Sequence, residues 1–434
     1  MNKCITFPVN DFNDFRVQML NWVNRFNIFC FLDNRQYQQG ETAFECLLAA
    51  GTTQRIQTKA GNAFEELQNF YTKNGNEWLF GHFGYDLKNE TENLCSGNDD
   101  GIGFSDLHFF VPEIVVELKS KIVNIYCEAD AGKIYWEILS SSTVIPEPGG
   151  FKVKIQNKIS REQYQEIIGK LRQHILRGDC YEINFCQEFF APYVDVDPLQ
   201  LYHKLTHLSP NPFSVLYKVD QLYCLCASPE RYLKRAGERI YSQPIKGTTK
   251  RILQDEAADE VSKNNLLASS KERSENVMIV DLVRNDLSRI CKPGSVKVDE
   301  LFGIYSFPQV HQMISTVSGE PEPGLNWIDC IKATFPMGSM TGAPKKKVME
   351  LIEQYEETKR GLFSGAIGYV KPGEDLLNGQ AGFDFNVVIR SILYNATSKY
   401  LSFQTGGAIT YNSDPFKEYE ECLLKAEAIM KVLE

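Results

Sequence analysis

Lys246 sits in Tyr241–Arg251, YSQPIKGTTKR, between Pro244-Ile245 and Gly247-Thr248. Pro244 cannot donate to a sheet ladder and Gly247 permits close backbone approach, so a constrained loop at a sheet edge is expected. An amine held there is an anion clamp, or a nucleophile if its pKa is lowered; an ordinary surface lysine is the alternative. Glu418, Glu421 and Lys425 fall within a sector of roughly 60° on the final helix, at about 100° per residue. Glu272 and Glu275, three apart, repeat the theme. If the two helices meet, four carboxylates converge, which is tolerable only around a divalent cation. All-oxygen ligands and few direct carboxylates suit Mg²⁺. For both pairs the alternative is a solvated helix face. Glu230, in Cys226-Ala227-Ser228-Pro229-Glu230, stands just before a strand. In an apolar site its carboxyl would stay protonated and act as a general acid; an ordinary surface glutamate is the alternative. Tyr369 and Arg390 form a candidate second anion clamp. His311 reads most simply as a hydrogen-bonded positioning residue. Phe335–Lys345, FPMGSMTGAPK, is a glycine loop running into a helix, where backbone N–H groups suit an anion. Its spacing is not that of a nucleotide-binding P-loop.

The elements that must position these residues are legible in outline. Strand-like runs cover Ser214–Val219, Leu222–Cys226, Arg231–Arg235 and Arg239–Ser242, the last two separated by the hairpin-type break Ala236-Gly237-Glu238. Asp179–Gln187 alternates like a strand. One helix is expected over Gln254–Asp286, another over Ala343–Glu357. The final helix is capped by Asp414 with Pro415 in its first turn, and Tyr419, Cys422, Leu423, Ala426, Ile429, Met430 and Leu433 mark its buried stripe. Upstream, Ser160 and Gln163 make a capping box ahead of the apolar face Tyr164, Ile167, Ile168, Leu171 and Ile175. Ser140–Gly150, SSSTVIPEPGG, is the best linker candidate. Before it, helical periodicity appears in Phe12–Asn24 and Ala63–Lys73. Strand-like runs there are Ile28–Leu32, Glu77–Gly84, Leu107–Phe110, Glu113–Leu118 and Lys121–Cys127.

The chain has 434 residues, enough for two domains or one large composite. It is 43% hydrophobic and 24% charged, as globular proteins are. A net charge of -10 argues against a nucleic-acid partner and requires a few local cations to grip any anionic substrate. With neither an apolar signal core nor a run of membrane-spanning length, a cytoplasmic location and no membrane partner are expected. The 12 cysteines include no CxxC pair and read as free thiols of a reducing compartment.

Taken together, these residues resemble the chorismate-utilising enzymes: anthranilate synthase component I, aminodeoxychorismate synthase component I, isochorismate synthase and salicylate synthase. The motifs occur in the family's order: SPE at 228–230, PIKGT at 244–248, KERSEN at 271–276, MIVDLVRNDLSR at 278–289, GSMTGAPK at 338–345, IR at 389–390 and ExxExxxK at 418–425. GHFGYDL at 81–87 is a weaker match. The resemblance implies the α+β fold of these enzymes, with packed antiparallel sheets and outer helices. It implies an N-terminal region over 1–145 and a catalytic domain over 155–434, composite and intertwined. It further implies Mg²⁺ on Glu275 and Glu421, supported through water by Glu272 and Glu418. The ring carboxylate of chorismate would lie near the Gly247 and Thr248 backbone and Lys425, beside the strand carrying Gly406 and Gly407. Tyr369 and Arg390 would hold the enolpyruvyl carboxylate, and Glu230 would protonate the departing C4 hydroxyl. His311 joins Lys246 and Glu230 in the implied catalytic set.

Within the family, PIKGT rather than PIAGT resembles the aminodeoxychorismate group, where the lysine is implied to attack the ring. Glu182 stands where water-adding members carry a lysine, which disfavours isochorismate or salicylate synthesis. No glutaminase nucleophile pattern appears, so a separate glutamine amidotransferase is implied as the ammonia source. The chain also stops after its final helix, so no fused lyase is expected. Anthranilate synthase and a non-catalytic scaffold for the amidotransferase are the competing readings. Three departures stand out: Ala408 where the family has glycine, Glu182 where it has glutamine, and FCFLDN at 29–34 in place of the motif that binds tryptophan.

Overall fold

A computed structural model describes residues 3–37, 44–146, 153–373 and 381–434. Two large sheets dominate, one of 12 strands and one of 10. In every strand pairing within them the neighbours run antiparallel. The fold is α+β, as expected. Each sheet draws strands from both the first third and the remainder of the chain. In the larger sheet Phe213–Val219 pairs with Ile28–Asp33, and in the smaller Ala366–Lys371 pairs with Leu79–Phe83. Of the candidate linker, 147–150 lie outside the described residues.

Burial on both faces explains why the strands are so apolar. Ile28, Cys30 and Leu32 belong to the core shared by the two sheets, while the alternating Phe29 and Phe31 belong to a second core. Helices Phe12–Val23, Arg161–Leu176, Pro198–Leu208 and Pro415–Leu433 contribute buried faces to that second core. Tyr419, Cys422, Ala426, Ile429 and Leu433 of the final helix are buried as expected, whereas Leu423 and Met430 are only partly so. No helix is long and apolar enough to cross a membrane among the described residues.

Two local differences from the sequence expectation matter for the site. The single helix expected over Gln254–Asp286 is two, Glu256–Ala268 and Ser270–Ser288. Between them Ser269 is extended, and its side chain accepts from the Glu272 N–H, so it starts a new helix. Glu272 is thereby fixed in a first turn, with Glu275 beside it. Secondly, the helix expected from Ala343 begins at Lys345. Gly342 and Ala343 instead pair with Ile183 and Glu182 as a short strand.

A buried pair locks that arrangement. Arg360 and Glu356 are 2% and 6% exposed and meet at 2.6 Å. Glu356 also accepts from the Cys186 N–H at 2.8 Å, while Arg360 donates to the Met340 carbonyl at 2.6 Å and the Asn184 carbonyl at 2.8 Å. The guanidinium therefore ties the glycine loop to the strand Glu182–Ala191. Arg360→Ala would strand a buried carboxylate and two carbonyls, so we expect a loss of about 3–5 kcal/mol in urea unfolding. A shift below about 1 kcal/mol, the size of a surface pair, would contradict this role.

Candidate active site

Lys246 belongs to Ile245–Lys250, the edge strand of the smaller sheet. The register against Val310–Gly319 shifts between Ile245 and Thr248, which frees Lys246 and Gly247 from regular pairing. The lysine is not a surface group. Its side chain is 11% exposed and its Nζ lies 3.0 Å from Glu182 Oε1, on the opposite sheet. Burial alone would lower its pKa, but the carboxylates of Glu182, Glu275 and Glu230 outweigh that and raise it. The resting amine is thus an ammonium, contrary to the depressed pKa that a nucleophile would have at rest. The Lys246 carbonyl accepts from Asn276 Nδ2 at 3.4 Å, and Asn276 Oδ1 accepts from Ser315 at 2.6 Å. The acidic helix Ser270–Ser288 therefore holds the lysine backbone directly.

Gly247 has φ +98°, where side chains are strained, and a Cβ there would stand 3.1 Å from Glu272 Oε2. The glycine lets Glu272 close on the loop. Gly407 does the same on the other sheet: a Cβ there would meet Glu418 at 3.3 Å, Glu421 at 3.7 Å and Lys425 at 3.7 Å. Gly406 is needed for strand packing, since a Cβ would collide with the Phe185 carbonyl. Thr248 is exposed opposite Gln312.

Glu272, Glu275, Glu418 and Glu421 do converge, for Lys271 has all four as charged neighbours. Burial raises the carboxyl pKa of Glu272 and Glu418, and pushes Glu275 up to about 7. Lys425 lowers Glu421, which it meets at 2.8 Å while donating to the Gly406 carbonyl at 2.9 Å. The site is short of positive charge, and Glu275 Oε1 is buried without a hydrogen-bond donor. The all-oxygen donors suit Mg²⁺ in kind. No three such groups are already drawn into a metal cage among the described residues. Mg²⁺ does not need three, since one or two carboxylates with water and substrate oxygens suffice.

Glu230 is 4% exposed, and Ser339 Oγ donates to its Oε1 at 2.6 Å. Burial pushes its pKa up to about 7, with Ser339, Lys246 and Arg390 pulling the other way. A carboxyl so poised holds its proton in a good share of molecules at neutral pH and can deliver it. Ser339 escaped the sequence reading, although it lies within GSMTGAPK. That loop was expected to offer N–H groups to an anion. Here it offers a hydroxyl to the acid, and its Thr341 and Ala343 carbonyls accept from Asn184 and Tyr181.

Arg390, at φ +50°, has Glu230 and Tyr37 as charged neighbours. Its side chain makes no hydrogen bond among the described residues, so it is available to a carboxylate. Tyr369 is not brought to it. The Tyr369 ring lies 5.6 Å from Phe44, 5.8 Å from Trp78 and 5.9 Å from Phe80, and its charged neighbours are Asp384, Arg231 and Glu117. Strand alternation puts it in an aromatic cluster rather than a clamp. His311 has both ring nitrogens engaged, Nε2 with Asp259 at 3.0 Å and Nδ1 with Ser306 at 2.8 Å. Asp259 also binds Arg251 at 2.7 Å and the Ile252 N–H at 2.8 Å. The histidine thus braces the chain just after Lys246, which is a positioning role.

The family model described as "chorismate binding enzyme" matches residues 28–431. Aminodeoxychorismate synthase component 1 of Klebsiella aerogenes is 34% identical over 359 residues, covering 82% of this chain and 76% of the relative. Anthranilate synthase component 1 of Aquifex aeolicus is 32% identical over 376 residues, covering 82% and 74%. The crystal structure of anthranilate synthase component I from Streptococcus pneumoniae superposes with a TM-score of 0.74 at 25% identity, over 91% of this chain and 95% of that one. The menaquinone-specific isochorismate synthase of Escherichia coli shares the fold at 16% identity, with a TM-score of 0.76 over 100% and 94%. The chain belongs to the chorismate binding enzyme family.

Proposed function

We propose that the chain is the chorismate-aminating component of an aminodeoxychorismate synthase. It converts chorismate and ammonia to 4-amino-4-deoxychorismate, in the cytoplasmic supply of para-aminobenzoate and folate, with ammonia provided by a glutamine amidotransferase partner. The observation that carries this reading is Lys246. It is a largely buried amine with Glu182, Glu275 of the acidic helix and Glu230 as its charged neighbours.

The residues act as follows. Arg390 takes a carboxylate of the substrate, and Lys425 with the backbone at Gly247 takes the other. Glu275 and Glu421 would hold Mg²⁺, with Glu272 and Glu418 behind them. When bound, the ion supplies the charge that holds the ring carboxylate against the glutamates. Attack requires the Lys246 ammonium to release a proton, and the Glu182 carboxylate 3.0 Å away is the acceptor at hand. The lysine nitrogen then bonds to ring C2. Both ring double bonds shift, C1=C2 to C1=C6 and C5=C6 to C4=C5, the C4–oxygen bond breaks and Glu230 gives its proton to the departing hydroxyl, which leaves as water. Ammonia next bonds to C4 and the C2–nitrogen bond breaks, its electron pair returning to the lysine. The tether divides one difficult displacement into two easier ones. The curated relatives called component 1 support a second subunit.

With Lys246→Ala, amination should fall by at least about a thousandfold while chorismate binding changes only a few-fold, as for a lost nucleophile. Intact-protein mass spectrometry of the unaltered chain with chorismate and no ammonia should show a ring adduct. Equal loss of binding and turnover would make the lysine a carboxylate clamp, and fluorescent anthranilate as product would favour the anthranilate synthase reading. Turnover should also decline as pH rises through about 7, where Glu230 loses its proton. Ser339 favours the ionised form, so Ser339→Ala should move that limb upward by roughly one pH unit, the worth of one hydrogen bond to a charged group. A limb that stays put or moves down would remove Glu230 from the acid role.

A further inference from the structure

Glu182 is only half used by the scheme above. It is 1% exposed, and its Oε1 meets Lys246 Nζ at 3.0 Å. Its Oε2 is just as buried and has no hydrogen-bond partner among the described residues. Main-chain donors do not reach it, since the strand neighbours at this position are Gly342 and Ala343, which pair through the backbone. A buried carboxylate oxygen without a donor is costly to keep and calls for a ligand that brings N–H or O–H. The amination reading, on which this inference rests, needs a second nitrogen at the ring and gives it no seat.

We propose that Glu182 Oε2 binds the ammonia co-substrate. The proposal is a binding step: an N–H of ammonia or ammonium donates to Oε2, and no covalent bond is made or broken at Glu182. Three features favour this ligand. The surroundings are anionic, since Glu275 lies within the electrostatic reach of Glu182 and Glu230 within that of Lys246, so a cation or a pure donor is welcome and an anion is not. The oxygen is enclosed, which suits a small donor. The two oxygens of one carboxylate are spaced much like two ring carbons in a 1,3 relation. With the lysine nitrogen on Oε1 and ammonia on Oε2, the two nitrogens stand ready for C2 and C4. A family-type glutamine at this position would offer a single acceptor oxygen, which the lysine already takes.

The test varies ammonium chloride as nitrogen source at saturating chorismate and Mg²⁺, with Glu182→Gln and Glu182→Asp beside the unaltered chain. Far-UV circular dichroism establishes that both variants are folded. Glu182→Gln should raise KM for ammonium by about tenfold or more, the worth of one hydrogen bond to a charged group. KM for chorismate should change less than that for ammonium, and the adduct on Lys246, although slowed by loss of the carboxylate beside the amine, should still form. Glu182→Asp, which keeps a carboxylate, should recover part of the ammonium KM. An unaltered chain that aminates, paired with a Glu182→Gln variant whose ammonium KM does not move, would show that only water or nothing occupies Oε2 and overturn this proposal alone. Loss of the adduct, and of turnover with it, would overturn it too, assigning the carboxylate wholly to Lys246. An unaltered chain giving no aminated product would overturn the amination reading and this inference with it.

Discussion

The contact between Lys246 and Glu182 is the constraint on which the site depends. The lysine comes from the edge of the 10-stranded sheet and the glutamate from the 12-stranded one, so a single 3.0 Å ion pair joins the two sheets at the site. Taking both charges out of water is costly, and their attraction offsets that only while each keeps its partner. The pair therefore demands that everything around it be held still. Asn276 fixes the lysine carbonyl, His311 and Asp259 fix the chain that follows, and the Arg360–Glu356 pair fixes the strand that carries Glu182. A second contact, from Ser339 in the glycine loop to Glu230 in the turn between two strands, depends on the same arginine.

The acidic helices follow a different logic. Glu272, Glu275, Glu418 and Glu421 are brought together by two helices far apart in sequence, and the fold does little to neutralise them. Lys271 and Lys425 share the task from partly exposed positions. Burial raises the carboxyl pKa of Glu272, Glu275 and Glu418, with neighbouring carboxylates adding to it. Glycines at 247 and 407 keep the acids close to the two strands by removing the Cβ that would push them away.

Much of this was legible in the sequence, and the limits have physical causes. Local signals worked: Asp414 and Pro415 start the last helix, Ser160 and Gln163 start another, and apolar alternation marks most strands. The motifs SPE, PIKGT and ExxExxxK named Glu230, Lys246 and the acidic pair because chemistry restricts residue type as well as spacing. What the sequence hid was contact between side chains far apart in the chain. Nothing local links Glu182 to Lys246, or Ser339 to Glu230, and the raised pKa of Lys246 follows only from those long-range neighbours. Ser269 hid a helix break because the polar run 269–276, SSKERSEN, carries no apolar period on which a break would show, although the serine with Glu272 three residues on is a capping signal. Tyr369 was misplaced because a strand residue has two faces and sequence spacing does not say which one meets the ligand.

The account rests on a buried lysine kept charged by surrounding carboxylates until substrate arrives. Nitrogen-detected NMR of the Lys246 ζ-amine, followed against pH in the metal-free and substrate-free protein, tests this most directly. The structure predicts that the amine titrates above 10.5, the ordinary lysine value, because Glu182 and Glu275 outweigh burial. Titration below that value would mean that burial prevails, and that Lys246 does not meet Glu182 across the two sheets.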